Sequence, residues 1–214
     1  LYANIDNFDA TKYSLEYDKL SVMDKWLLSR LNTLVKTVDN HLENYRITES
    51  ARLLADFVDE LSNWYVRRSR ERFWTKGMPQ DKINAYMTLY TTLVTLAKLA
   101  APFIPYMTED IYQNLVRKLD ADAPKSVHLC DYPSYNEAWI DEKLESDMEE
   151  VLEIVVLGRA CRNAVNIKNR QPLPSMYVKA DKELSEYYTA IIADELNVKK
   201  IIFTDDVSEF ASYN

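Results

Sequence analysis

The chain has 214 residues, 47% of them hydrophobic, 28% charged and 12% aromatic, with a formal net charge of −8. Such a composition supplies a buried core and excludes intrinsic disorder, and no apolar run approaches the ~18 residues that a membrane-spanning helix needs. It contains only 2 glycines, Gly77 and Gly158; tight turns in sheets consume glycine while helix interiors avoid it, so the fold class is weighted towards α.

Residues 1–20 are polar and aromatic without clear periodicity and read as a connector. From Ser21 the pattern changes. Trp26, Leu27, Leu31, Leu34, Val35, Val38 and Leu42 recur at three and four, predicting an amphipathic helix over 22–44 with Ser21 as its N-cap and Asp24 in its first turn. After the turn "YRIT", Leu53, Leu54, Phe57, Val58, Leu61, Trp64 and Tyr65 predict a second helix over 48–75, closed by Gly77 and Pro79. A third spans about 81–101. Pro102 and Pro105 break it, and Pro105 suits the first turn of a fourth that reaches about 119. Four helices with short connections suggest an antiparallel helical bundle over 21–120. "DADAPKS" (120–126) is a compositional boundary, and "VHL" (127–129) is a short strand or an extended crossing. A long helix over 141–166 comes next, then "SMYVKA" (175–180), a helix over 182–195 and "VKKIIF" (198–203). Residues 121–214 thus form a long helix plus a small α+β extension, and the whole is mainly α.

The unusual stretch is "SNWYVRRSRERFW" (62–74). Residues 62–76 hold Arg67, Arg68, Arg70, Arg72 and Lys76 against one anion, Glu71, a local charge of +4 in an acidic chain. On a helical wheel of ~100° per residue, Arg68 and Arg72 fall within about 20° of Leu61 and continue the buried stripe, whereas Arg67, Arg70 and Trp74 face outward. Trp64, Tyr65, Arg68 and Arg72 are therefore assigned to holding the helix in place, the arginines through ion pairs or by reaching water. The outward set matches phosphate and base chemistry, because guanidinium groups fit phosphate and indole stacks on bases. A second basic segment, "GRACRNAVNIKNRQPLP" (158–174), has Arg159, Arg162, Lys168 and Arg170 and no acid. Cations at a helix C-terminus account for Arg159 and Arg162, but not for Lys168 or Arg170. The candidate nucleic-acid contacts are Arg67, Arg70, Trp74, Lys76, Lys168 and Arg170.

Chemistry-bearing motifs are missing. His41 and His128 stand in no ligand pattern, Cys130 and Cys161 form no CxxC, and no glycine-rich phosphate loop or nucleophile elbow occurs. The residues suggest a piece that binds, with no catalytic residue, metal or cofactor of its own. A helical protein-interaction module is the rival reading, since exposed Trp and Arg also dominate protein interfaces. An unrelated helical enzyme would need a deep pocket with perturbed carboxylates.

"DKWLLSRLN" (24–32), "DFVDELSNWYVRRSRERFW" (56–74), "LAAPFIPYMTEDIY" (99–112) and "LGRACRNAVNIKNRQPL" (157–173) together resemble the anticodon-binding helical region of class I aminoacyl-tRNA synthetases. The third pattern is shared in looser form by the valyl, leucyl and isoleucyl branches; the second and fourth resemble the isoleucyl branch. The resemblance covers about 20–203. It implies a fragment that grips the anticodon arm of tRNA-Ile, joined through residues 1–20 to an upstream catalytic domain. The parent would be a cytoplasmic, monomeric, ATP- and magnesium-dependent ligase that also edits mischarged valine. The family's catalytic signatures, H-I-G-H and K-M-S-K-S, are absent from these 214 residues, as are the zinc-binding cysteine sets of some members.

Overall fold

A computed structural model describes residues 2–180 and 182–205. The chain falls into two units, Leu1–Asp141 and Glu142–Asn214.

The first unit is built on α2 (Val22–Glu43). A reciprocal cap starts it: Ser21 Oγ accepts from the Asp24 N–H at 3.2 Å, and Asp24 Oδ2 accepts from the Ser21 N–H at 3.1 Å. Before it lie the single turn α1 (Tyr2–Ile5) and two 3₁₀ turns. Tyr45, with φ 58°, reverses the chain into α3 (Ile47–Glu60). The short connection makes α2 and α3 antiparallel, and Arg30 clasps Glu60 across them through Nε (3.1 Å) and Nη2 (2.9 Å). After α4 (Arg70–Trp74), α5 (Gln80–Ala100) begins at the same end as α2, where Arg72 touches both Asp24 and Asp81. α6 (Pro105–Tyr112) starts with Pro105 in its first turn. Trp26, Leu27, Leu28, Leu31, Val35 and Val38 of α2 meet Leu54, Phe57, Leu61 and Tyr65 in the core, each large apolar side chain contributing about 1.5–3 kcal/mol by leaving water.

The second helix is not continuous over 48–75. A π-helical turn occupies Leu61–Val66 and the helix is broken again at Ser69. A π turn inserts one extra residue and so rotates the downstream residues by about 100°. The buried stripe therefore runs Leu61, Tyr65, Ser69, Phe73, at 5%, 0%, 3% and 5% exposure. Arg68 and Arg72, expected on that stripe, sit on its flank and are only half-buried. Val58, also expected on it, is exposed. A second π turn, Gln113–Arg117, comes after α6.

Residues 121–141 stay with the first unit, so the chain divides after Asp141 and not at the compositional break near 120. Tyr112 Oη donates to the Pro124 carbonyl (2.9 Å), the Asn136 N–H to Asn32 Oδ1 (2.7 Å) and the Asp141 N–H to Ser29 Oγ (2.8 Å). "VHL" is a 3₁₀ turn, Val127–Leu129, because Glu109 on α6 accepts from both Ser126 Oγ and the Val127 N–H and holds the segment against the helix. The stretch read as a connector is also packed down: Ala3 and Phe8 lie against Phe73, Ala85 and Tyr86, and Asp6 accepts from Lys82 and Tyr86, each at 2.6 Å.

The second unit joins α7 (Glu142–Ala164) to β1 (Met176–Val178), α8 (Glu186–Leu196) and β2 (Ile201–Phe203). The strands are parallel, with Met176 opposite Ile201 and Val178 opposite Phe203, and α8 is their crossover. α7 and α8 approach closely at Gly158, where an added Cβ would meet Leu196 Cδ1 at 2.4 Å and Met176 Cε at 3.2 Å. Gly158→Val is expected to destabilise this unit by about 1–3 kcal/mol through overpacking, measured as faster amide hydrogen exchange in α7 and α8 with the first unit unchanged.

Candidate nucleic-acid interface

The arginine-rich segment is held by one buried carboxylate. Asp24 is 0% exposed and collects five hydrogen bonds. The Ser21 N–H and Oγ donate to Oδ2, Tyr65 Oη donates to Oδ1 at 2.6 Å, and the Arg72 fork gives one bond to each oxygen, both at 2.8 Å. Arg72 also donates from Nε to Asp81 Oδ2 (2.9 Å) and from Nη2 to the Asp81 carbonyl (3.0 Å). One side chain thus ties the start of α2, the start of α5 and α4 together. Burial pushes the Asp24 carboxyl up, but the hydrogen bonds and charge of Arg72, with Tyr65 and Ser21, outweigh it and hold Asp24 below its ordinary 3.8. Burial, reinforced by Asp24, pushes the Tyr65 phenol well above 10.0.

The remaining cations differ in their surroundings. Arg67 is half-buried and lies back along its own helix: its Nε donates to the Asn63 carbonyl at 2.7 Å, and its guanidinium sits 5.9 Å from the centre of the Trp64 ring. At the end of the π turn the Arg67 N–H bonds to the Trp64 carbonyl, three residues back, while the side chain takes the Asn63 carbonyl, four back. Arg68 is half-buried. Arg70 and Lys76 are exposed, and neither makes an ion pair among the described residues. Trp74 is 56% exposed, its ring tilted against Tyr2 at 6.2 Å. Gly77, with φ +74°, turns the chain away, and Lys82 seals the turn by donating to the Thr75 carbonyl at 2.8 Å. Arg70, Trp74 and Lys76 accordingly make an open cationic-aromatic edge, with Arg67 beside it in a pre-set rotamer.

The second basic segment is organised by Arg162. It is 5% exposed and donates to four carbonyls: Nη1 to Lys168 (3.1 Å) and Gln171 (3.0 Å), Nη2 to Leu196 (2.6 Å) and Asn197 (3.2 Å). The cation expected to dress the end of its own helix caps the C-terminus of α8 instead, because the chain folds back after Asn166, whose φ is 58°. Arg159 pairs with Glu195 at 2.7 Å. Lys168 and Arg170 are exposed on the loop that Arg162 holds.

Asp24, Asp81 and the carbonyl-capping role of Arg162 are the features that sequence reasoning missed. Their partners lie 48, 9 and up to 35 residues away, beyond any local pattern; only the Ser21–Asp24 cap was visible nearby. Among the described residues, no group of three or more His, Cys, Asp or Glu is placed to hold a metal, and no helix is long and apolar enough to cross a membrane.

A helical unit that presents arginine and tryptophan from a π-distorted helix, joined to a small α/β unit with a basic loop, agrees with the comparisons. Residues 24–177 match the family described as the anticodon-binding domain of tRNA ligase, and the chain belongs to that family. It is similar along its whole length to the isoleucine--tRNA ligase of Clostridium tetani, at 54% identity over 214 residues. The isoleucine--tRNA ligase 2 of Bacillus cereus is 45% identical over 217 residues, again covering all of this chain. The isoleucine--tRNA ligase of Bacteroides fragilis is 44% identical over 210 residues, or 96% of it. The chain spans 20%, 20% and 18% of these relatives' lengths.

Proposed function

We propose that this chain is the part of an isoleucine--tRNA ligase that grips the anticodon arm of tRNA-Ile. The observation that carries the reading is the likeness over 96–100% of the chain to relatives of that name. Arg67, Arg70 and Lys76 on the first unit, and Lys168 and Arg170 on the second, contact phosphate, while Trp74 offers a stacking surface. Arg72, Trp64, Tyr65 and Arg68 position that edge. The parent is a cytoplasmic monomer that activates isoleucine with ATP and magnesium. It clears mischarged valine at a separate site, since one methylene discriminates weakly in an apolar pocket. Its amino-acid and editing chemistry lies outside these residues, which supply binding and orientation of the RNA.

The test is tRNA-Ile binding by an Arg67→Ala/Arg70→Ala variant over a salt series. Each lost phosphate contact is expected to lower the slope of log K against log salt by about one, so the double variant loses about two and binds more weakly throughout. Unchanged affinity with an unchanged slope removes these residues from the interface. Binding that is insensitive to salt favours a protein-interaction module.

A further inference from the structure

The second half of α7 is apolar on two sides. Val151, Ile154, Val155 and Gly158 are buried within the second unit. Val156, Leu157, Ala160, Cys161 and Ala164, with Val165 just beyond the helix, are exposed, and the three largest, Val156, Leu157 and Val165, stand at 61%, 64% and 63%. Spaced at three and four, these residues form one stripe about 14 Å long. The preceding exposed positions at the same spacing are Glu142, Ser146, Glu149 and Glu153, so the outer face of one helix changes from charged to apolar at Val156. Exposed Arg159 and Asn163 flank the stripe; the helix has two apolar faces, and only one of them is covered.

We infer that this stripe docks another segment of the same polypeptide, from outside residues 1–214. The inference rests on the reading of the chain as part of a longer ligase. Two observations choose this occupant. The relatives are about five times longer than the chain, so most of the polypeptide is available to cover it. The stripe has six residues, whereas a stable interface between separate molecules takes roughly 20–30 a side. A segment of the same polypeptide acts at high effective concentration and needs far less area than a second copy would.

Cys161 lies in the stripe and reports its cover. In the native full-length ligase, alkylation of Cys161 by iodoacetamide, quantified by peptide mass spectrometry, is expected to be at least ~10-fold slower than in the 214-residue chain. Leu157→Lys in the full-length protein should restore the fast rate, while leaving the melting temperature of the 214-residue chain unchanged. Equal rates in the two proteins overturn the proposal, as does protection already present in the 214-residue chain. Protection that disappears on dilution assigns the stripe to a second copy and overturns it as well. Isoleucylation of tRNA-Ile by the same full-length preparation separates the two readings. An active enzyme with a fast Cys161 loses only the docking surface, and an inactive one loses the ligase reading whatever Cys161 does.

Discussion

Arg72→Met is expected to cost the first unit about 3–5 kcal/mol, the penalty for leaving a buried charge without its partner. Asp24 has no solvent exposure, and the guanidinium supplies two of its five hydrogen bonds and, among the described residues, its only countercharge at ion-pair distance. Arg72→Lys should recover little, because one ammonium cannot bond both carboxylate oxygens and still reach Asp81. Asp24→Asn combined with Arg72→Met should cost much less than Arg72→Met alone, since no charge then stays buried. The effect is read from urea midpoints of the 214-residue chain together with hydrogen exchange in α2 and α5. The pair also fixes a pH dependence. The folded value of Asp24 is depressed, so its stabilisation is complete above the unfolded value of 3.8 and is lost as pH falls through the folded one. Acid titration should therefore show wild type losing stability below about pH 4, with this component missing in Asp24→Asn.

Arg162→Met is expected to loosen the second unit by at least about 3 kcal/mol, since bonds from a charged donor contribute roughly 1.5–3 kcal/mol each and four carbonyls lose theirs. The Leu196 and Asn197 carbonyls end α8, and those of Lys168 and Gln171 fix the loop after α7. Limited proteolysis should open the chain within 166–173 while the first unit keeps its wild-type exchange pattern. On the proposed reading, in which Lys168 and Arg170 contact RNA from that loop, tRNA-Ile binding should weaken without loss of either charge, which a role confined to the residues that touch RNA does not predict.

Helix existence was legible where local chemistry punctuates the chain. Ser21 with Asp24 and Pro105 act through neighbours a few residues away and stand at helix starts, and Gly77 turns the connection between α4 and α5. The sites were less legible, because their partners are distant. Nothing near Arg72 points to Asp24, and nothing near Arg162 points to α8. The π turn was hidden for another reason. Both registers of 61–74 offer plausible inward residues, and only the four-residue spacing of Tyr65, Ser69 and Phe73 hinted at the one adopted. The division after Asp141 was obscured because "DADAPKS" (120–126) reads as a break, yet the residues after it are pinned to α2 by Asn32 and Ser29.

That π turn gives the arginine-rich helix two reading frames. In one, an uninterrupted helix sends Arg68 and Arg72 inward and Phe73 out. In the other, one extra residue seats Phe73 in the core and brings Arg72 to the rim, where Asp24 can be reached. An insertion in this segment should then be more disruptive than a single-residue deletion, because only the insertion rotates the downstream residues away from their seats. Removing one residue between Leu61 and Val66 would turn the π turn into a regular helical turn while keeping Phe73 directed at the core and Arg72 at its rim.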